Sequence, residues 1–210
     1  MRKIILSVFF IFSIIGTLHA QEPDYLLLQV KAPETFRAKF TTTKGDFVIE
    51  AIRVWSPEGV DRLYQLIKSN FFTNALFFRV EPNYVVQFGI SANYKINRFW
   101  DPKKLSDELI RIRNVKGTIA YAQGKPNDRS TQLFINMVDN PKLDTTRKAG
   151  TLGFTPIARV ISGMENLIKL NSQYGKKPAM IQDSLYKYGN PYFDKRFPGL
   201  DKIISVGFIK

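Results

Sequence analysis

The sequence predicts a mostly β protein, an antiparallel barrel or sandwich of eight strands with two α-helices covering its ends. Three observations support this fold class: short runs rich in β-branched and aromatic residues, turn-forming or charged segments between them, and only two stretches with helical spacing of apolar residues. A closed sheet would remove unpaired strand edges. Periodicity alone does not distinguish a barrel from a sandwich.

The first residues have the features of a secretory signal peptide, which we place at residues 1–20. A basic start at Arg2 and Lys3 precedes a long apolar run that ends in the small residue Ala20. We expect cleavage after Ala20, and therefore an exported protein, periplasmic or secreted, with no stable membrane insertion. The alternative is an uncleaved anchor, for which the apolar run is short against roughly 30 Å of hydrocarbon.

A β-hairpin is predicted at the start of the folded domain. Residues 21–35 contain two prolines and are expected to form an irregular lead-in. Two strand-like runs follow, 38–43 and 46–54, joined by Lys44 and Gly45. Gly45 can adopt a positive φ without steric cost, which favours a tight two-residue turn.

The first helix is predicted directly after this hairpin. Ser56 offers a side-chain cap, and Pro57 suits the first helical position. Apolar residues then recur at helical spacing: Val60, Leu63, Tyr64, Ile67 and Phe71. These positions predict an amphipathic helix.

Short strands dominate the rest of the chain, at 75–80, 84–90, 117–122, 132–138, 156–161 and 202–209. A second helix is predicted over residues 163–170, where Met164, Leu167 and Ile168 share a face. Residues 93–113 and 171–201 are interpreted as loop-like insertions. We therefore predict one domain over residues 36–210, including a C-terminal extension over 171–210.

The composition excludes several kinds of chemistry. The chain has no cysteine, and its one histidine, His19, lies within the predicted signal peptide. The mature chain would then lack a thiol and an imidazole, which argues against most hydrolases and zinc enzymes. We expect neither a metal nor a cofactor.

The charge of the chain is strongly positive. Without Arg2 and Lys3, 29 of the 31 basic residues remain against 18 acidic ones, so the net charge stays near +11. Because the basic residues are scattered and no aromatic RNA-binding signature accompanies them, we expect a solvated basic surface and no nucleic-acid partner. Nucleic-acid binding remains the weaker alternative.

Four motifs, in order, resemble those of the cyclophilin family. They are FFRVEPNYVVQFG, GTIAYAQGKPNDRSTQLFI, DNPKLD and GFTPIARVISGMENL, and the tail YGNPYFDKRFPGLDKI is similar to an extension of some bacterial members. The resemblance covers residues from about Phe36 to Leu170. It implies a closed eight-stranded antiparallel β-barrel capped by two α-helices, in an exported bacterial peptidyl-prolyl cis-trans isomerase. We further expect a monomer that binds proline-containing unfolded or folding polypeptides.

The resemblance assigns catalysis to Arg79, supported by Gln87. Rotation about a peptide bond has a barrier of roughly 18–20 kcal/mol because resonance gives the C–N bond double-bond character. In the twisted state of an X-Pro bond, the imide nitrogen gains lone-pair character. A fixed guanidinium donates a hydrogen bond to this nitrogen, or to the prolyl carbonyl, more strongly than in the planar state.

The remaining site residues are also assigned by the resemblance. An apolar pocket for the proline ring is implied, lined by Tyr84, Val85, Phe134, Leu143 and Phe154. Gln87 would orient Arg79 or bind the substrate. The substrate main chain would be held by Gln132 with the backbone of Ala122 and Gln123. Taken singly, the apolar residues would be read as ordinary core residues.

Three positions differ from well-known family members. Lys142 stands where a Trp is often found, Phe154 where a His is often found, and Tyr84 where a Phe is usual. Since Lys and Trp differ in shape and stacking, these differences weaken the expectation that the family's cyclic-peptide inhibitor binds. These differences do not change the expectation that Arg79 is catalytic.

Two functions remain open at this point besides nucleic-acid binding. The first is catalysis of X-Pro rotation in exported folding proteins, a step that otherwise takes tens to hundreds of seconds. The alternative is a binding module or chaperone that grips proline-containing segments with little catalytic activity. The presence of Arg79 favours the first.

Overall fold

The structure is a computed structural model that describes residues 25–146 and 153–210. The predicted signal peptide and the first part of the lead-in lie outside the described residues. In the described ranges, none of the helices combines the length and the apolar character needed to cross a membrane.

Eight strands form one antiparallel sheet, and each predicted strand is present. They are β1 (Thr35–Thr42), β2 (Gly45–Ile52), β3 (Arg79–Val80), β4 (Val85–Phe88), β5 (Thr118–Tyr121), β6 (Leu133–Asn136), β7 (Pro156–Ser162) and β8 (Ile203–Ile209). Their spatial order is β3-β4-β6-β5-β7-β2-β1-β8, curved into a half-barrel. The predicted hairpin is confirmed, with Thr42 opposite Gly45 and a φ of 111° at Gly45.

The predicted closure of the barrel is not confirmed. In the described part of the chain, β3 and β8 stand at the two ends of the strand order, and no ladder joins them. An isolated bridge between Leu76 and Lys202, with a 2.9 Å hydrogen bond from Phe77 N to Asp201 O, connects the segments that precede these strands. These segments link the two ends of the sheet, while β3 itself pairs with β4.

The prediction of two helices was wrong, because the described residues contain six α-helices. They are α1 (Pro57–Lys68), α2 (Tyr94–Trp100), α3 (Lys142–Thr145), α4 (Met164–Ile168), α5 (Gln182–Tyr188) and α6 (Asn190–Arg196). Only α1 and α4 were predicted. The others have seven residues or fewer and bury between one and three side chains each, which is too few for a sustained helical period.

The cap of α1 also differs from its prediction. Ser56 makes no side-chain cap, and its hydroxyl donates instead to the carboxylate of Glu108. Glu108 itself caps the helix, since it accepts hydrogen bonds from the backbone N–H of Glu58 at 2.9 Å and of Gly59 at 3.2 Å. A carboxylate at this position pairs with unsatisfied N–H groups and with the positive end of the helix dipole.

The second predicted helix is confirmed as α4, with one error in its buried face. Leu167 is buried, whereas Ile168 is 59% exposed. A helix of five residues offers only a narrow buried stripe, so the residue adjacent to Leu167 points to solvent.

Two hydrophobic cores support the sheet. The main core fills the half-barrel and includes Phe40, Phe47 and Phe88. The second core joins the C-terminal extension to the sheet, with Leu185 and Phe193 packed against Phe78. The extension therefore packs beside the residue that precedes Arg79.

Candidate active site

Three neighbouring strands bring the central side chains of the site together. Arg79 on β3 lies opposite Gln87 on β4, and Gln87 lies opposite Phe134 on β6. Directly opposed residues of antiparallel strands share a face, and so do alternate residues such as Val85 and Gln87. The short strands thus place a cation, an amide and an apolar surface side by side.

These side chains border a cavity of about 180 Å³. Its lining consists of Arg79, Tyr84, Val85, Gln87, Ala122, Gln123, Phe134, Leu143 and Phe154. The sequence had named each of these as a site residue. The volume corresponds to roughly six waters at about 30 Å³ each, which is room for one small apolar ring.

The floor of this cavity is apolar and buried. Val85, Phe134 and Leu143 are at most 7% exposed and form one cluster with Tyr84 and Phe154 around them. The rings of Phe134 and Phe154 meet edge to face at 5.5 Å between centroids, a favourable geometry for aromatic pairs. Such a surface suits an aliphatic ring better than a polar group.

The guanidinium of Arg79 is held on three sides at the edge of this cavity. Its Nε donates to Glu81 Oε1 at 2.5 Å, its Nη1 donates to Gln87 Oε1 at 3.4 Å, and its Cζ lies 5.2 Å from the centre of the Tyr84 ring. Nη2 has no hydrogen-bond partner among the described residues. A donor is therefore available to a ligand, on a group whose orientation is already restrained.

A row of polar side chains continues from Arg79 along the sheet. Gln87 Nε2 donates to Gln132 Oε1 at 2.8 Å, and Gln132 Nε2 donates to the hydroxyl of Tyr186 at 3.1 Å. Burial is the main cause that raises the pKa of Tyr186 to about 12, so the hydroxyl is neutral at physiological pH. Gln132, the one predicted site residue outside the small cavity, thus joins the site through Gln87.

The backbone expected to hold a substrate main chain is only partly free. The N–H of Ala122 donates to the carbonyl of Gln132 at 2.9 Å, so it is not available to a ligand. The side chain of Gln123 donates to the carbonyl of Gly153 at 3.3 Å. Within the described ranges, the carbonyl of Ala122 and the backbone N–H of Gln123 remain without a backbone partner.

A second, larger cavity of about 800 Å³ adjoins the first. The two share the residues Gln87, Ala122 and Gln123, and Gln132 lines the larger one. Its other walls come largely from α2 and α5. The sequence did not predict this cavity because it did not predict the two helices that build it.

Two polar residues of the site were missed. Glu81 lies two positions after Arg79, so strand alternation could have placed it on the same face. Tyr186 lies 54 residues beyond Gln132, and no local pattern connects them. Of the positions that differ from well-known family members, Lys142 is exposed, while Tyr84 and Phe154 are half-buried.

No described part of the chain gathers three or more His, Cys, Asp or Glu side chains into a group that could hold a metal ion. The residues of the candidate site offer one guanidinium, three amide side chains and an apolar floor.

Comparisons of the sequence with known proteins agree on one family. Residues 37–187 match the family model described as cyclophilin type peptidyl-prolyl cis-trans isomerase/CLD. A peptidyl-prolyl cis-trans isomerase of Acinetobacter baylyi is 29% identical over 156 residues, which cover 71% of this chain and 81% of that protein. Peptidyl-prolyl cis-trans isomerase B of Escherichia coli is 29% identical over 147 residues, covering 69% and 89%.

Solved structures show the same fold. The crystal structure of a cyclophilin type peptidyl-prolyl cis-trans isomerase of Cryptosporidium parvum matches with a TM-score of 0.60 at 17% identity, covering 84% of this chain and 98% of that one. A second structure of that protein, in the presence of the dipeptide Ala-Pro, matches with a TM-score of 0.59. At this identity, the likeness concerns the fold.

Proposed function

Because the chain belongs to the cyclophilin-type peptidyl-prolyl cis-trans isomerase family, we propose that it accelerates X-Pro rotation at the smaller cavity, with Arg79 as the catalytic residue. One observation carries this proposal. A restrained guanidinium with an available donor borders a cavity of about 180 Å³ whose floor is apolar and buried.

The proposed mechanism divides the work between the cavity and the cation. The proline ring enters the cavity and contacts Val85, Phe134 and Leu143, so one side of the X-Pro bond is held. The preceding residue then rotates against it. As the bond twists, Arg79 donates to the imide nitrogen or to the prolyl carbonyl, which stabilises the twisted state more than the planar one.

The neighbours of Arg79 would keep this donor in place. Glu81 and Gln87 hold two edges of the guanidinium, and the Tyr84 ring lies against it. A donor that is already oriented does not have to reorganise as the transition state forms, which is the main source of electrostatic catalysis. In this proposal Gln87 positions Arg79, and Gln132 binds the substrate main chain together with the carbonyl of Ala122 and the backbone N–H of Gln123.

The proposed substrates are proline-containing segments of exported proteins that are still folding. The small apolar cavity suits a proline ring, and the similar structure from Cryptosporidium parvum was obtained in the presence of Ala-Pro. Export to a periplasm or beyond the cell is supported by the basic, apolar and small-residue segments of the first 20 residues. We propose that the protein acts there as a monomer.

The test is the cis-to-trans rate of a proline tetrapeptide with the protein and with Arg79→Ala. We expect the protein to accelerate exchange and the variant to lose about 100-fold or more of that acceleration, as when one preorganised donor is removed. Arg79→Lys should also lose most activity, because an ammonium does not reproduce the planar fork. Arg196→Ala, a change of the same charge at an exposed position on α6, is the matched control and should stay fully active.

Each alternative has its own outcome. If the folded protein binds the peptide without accelerating exchange, the catalytic proposal is wrong and the binding module replaces it. If Arg79→Ala is folded, by circular dichroism, and retains full activity, Arg79 is not the catalytic residue. Nucleic-acid affinity that falls steeply with salt and survives Arg79→Ala would support the alternative function, nucleic-acid binding by the basic surface.

A further inference from the structure

We propose that Tyr186, on α5 of the C-terminal extension, is a positioning residue of the isomerase site that fixes Arg79 through Gln132 and Gln87. This inference rests on the proposed function of Arg79. It adds to the site a residue that the sequence did not point to and that touches neither the small cavity nor the guanidinium.

The argument begins with the direction of three successive hydrogen bonds. Arg79 Nη1 donates to Gln87 Oε1, Gln87 Nε2 donates to Gln132 Oε1, and Gln132 Nε2 donates to the Tyr186 hydroxyl. A guanidinium has only donors, so each amide must present its oxygen toward Arg79 and its NH₂ group away from it. The last NH₂ group therefore needs an acceptor, and Tyr186 supplies it.

Loss of this acceptor would disturb the hydrogen bond that holds Arg79. Gln132 is half-buried and lines the larger cavity, and an amide N–H without a partner is costly, so Gln132 would turn further into that cavity to reach water. The NH₂ group of Gln87 would then lose its acceptor, Gln132 Oε1. If Gln87 reoriented to recover a bond, its NH₂ group would face the donors of Arg79.

Tyr186 itself is well anchored for this role. Its ring packs against the second core, in which the adjacent Leu185 is 1% exposed. Burial keeps its hydroxyl neutral well above physiological pH, so the acceptor does not change its charge over the working range. In addition, Val80 N donates to the carbonyl of Gly175 at 3.2 Å, which fixes the extension to β3 beside Arg79.

The experiment compares Tyr186→Phe with Tyr192→Phe in the proline-tetrapeptide exchange assay. Both changes remove one hydroxyl from a half-buried ring at the second core, but the Tyr192 hydroxyl has no hydrogen-bond partner among the described residues. We expect Tyr186→Phe to lower kcat/KM about two- to tenfold, the worth of one such hydrogen bond, and Tyr192→Phe to leave it unchanged. Thermal unfolding checks that both variants keep the wild-type melting temperature.

Two further measurements separate positioning from a general effect on the fold. The side-chain amide NMR resonances of Gln132 and Gln87 should shift in Tyr186→Phe and stay in place in Tyr192→Phe. In a double-mutant cycle, Tyr186→Phe should have no further effect on kcat/KM once Gln132 is replaced by Ala, because the path to Arg79 is already broken.

The outcomes distinguish this inference from the function it rests on. An active wild-type protein with an equally active Tyr186→Phe overturns the positioning role and leaves the function of Arg79 intact. Additive effects of Tyr186→Phe and Gln132→Ala also overturn it. A folded wild-type protein with no isomerase activity overturns the proposed function, whereas the amide resonances still report whether Tyr186 holds Gln132.

Discussion

Among single residues, Arg79 is the clearest case of a side chain whose orientation is restrained by its neighbours. Glu81 holds its Nε edge, Gln87 holds Nη1, and the ring of Tyr84 lies against the guanidinium. A flexible Arg would have to give up several rotamers whenever a ligand bound. Since these three neighbours restrain it in the free protein, that entropy has already been lost on folding.

Most of the site could be predicted at this scale. The small cavity collects nine of the ten residues that the sequence had named, because family motifs preserve the order of the strands that carry them. Glu81 and Tyr186 were missed for different reasons. Glu81 was visible as a strand neighbour of Arg79, but the contact between Tyr186 and Gln132 depends on how the extension packs, which no local spacing records.

A pH dependence of stability is expected from Glu50, which lies between two arginines on adjacent strands. Arg159 and then Arg37, through hydrogen bonds to its carboxylate, are the main causes that lower the pKa of Glu50 from its ordinary value of 4.5. A carboxyl group whose pKa is lower in the folded state stabilises that state above pH 4.5, and the contribution is lost as the pH falls below this value.

Glu50→Gln should therefore destabilise the protein at neutral pH and much less in acid. Because both arginine side chains are half exposed, we expect about 1 kcal/mol or less near pH 7. Thermal melts near pH 7 and near pH 3 measure the difference from wild type, which should shrink at the lower pH. A difference that stays constant between the two would contradict this account. Glu34→Gln, at an 84% exposed side chain, serves as control.

At the scale of elements, α1 is stabilised by a distant carboxylate. Glu108 accepts from the first N–H groups of α1 and forms a 3.0 Å ion pair with Arg129, whose side chain is 2% exposed. One carboxylate thus satisfies a helix end and a buried cation. The expectation that Ser56 caps this helix failed because Glu108 lies 52 residues away in sequence and competes successfully for the same donors.

Glu108→Ala should be strongly destabilising. It leaves Arg129 as a buried charge without its carboxylate and α1 without its cap, so we expect a loss of about 3–5 kcal/mol in the free energy of unfolding. Urea denaturation followed by circular dichroism measures this loss. Glu165→Ala removes the same charge from the exposed first turn of α4 and should cost less than about 0.5 kcal/mol. Similar values for both variants would show that Glu108 has no special role.

Strands were predictable here, and short helices were not. A strand can be recognised from a few residues of sequence, because β-branched and aromatic side chains are enriched on its half-buried surface. By contrast, α5 buries only Leu185 and α6 only Phe193, so neither displays an apolar stripe. For α2 there was one usable signal, since the Asn93 side chain accepts from the N–H of Lys95 as an N-terminal cap does.

At the scale of the whole molecule, the C-terminal extension is part of the main fold. The extension buries Leu185, Phe193 and Phe197 in one cluster with Leu76 and Phe78 of the segment that leads into β3. The last strand of the extension, β8, pairs with β1 over six residue pairs. Because the extension makes both sets of contacts, we expect it to unfold together with the sheet as one cooperative unit.

Phe193→Ala should therefore destabilise the whole protein in one transition. Phe193 is fully buried, and truncation of such a ring costs about 3–5 kcal/mol. Urea unfolding, followed by tryptophan fluorescence and by circular dichroism, should give coincident curves at a lower midpoint. Tyr188→Ala, at a 53% exposed ring of α5, should change the free energy by less than about 1 kcal/mol. Two separate transitions would show that the extension unfolds by itself.

The pairing of β1 with β8 cannot form until nearly the whole chain has been synthesised. In this pairing Phe40 lies opposite Val206, which is made 166 residues later. At about 5–20 residues per second, the ribosome needs roughly 10–30 s to produce the stretch between them. Throughout that time one edge of β1 has no neighbour, and an unpaired edge is a template for association with other chains. A ribosome that stalled within α5 would leave this edge open.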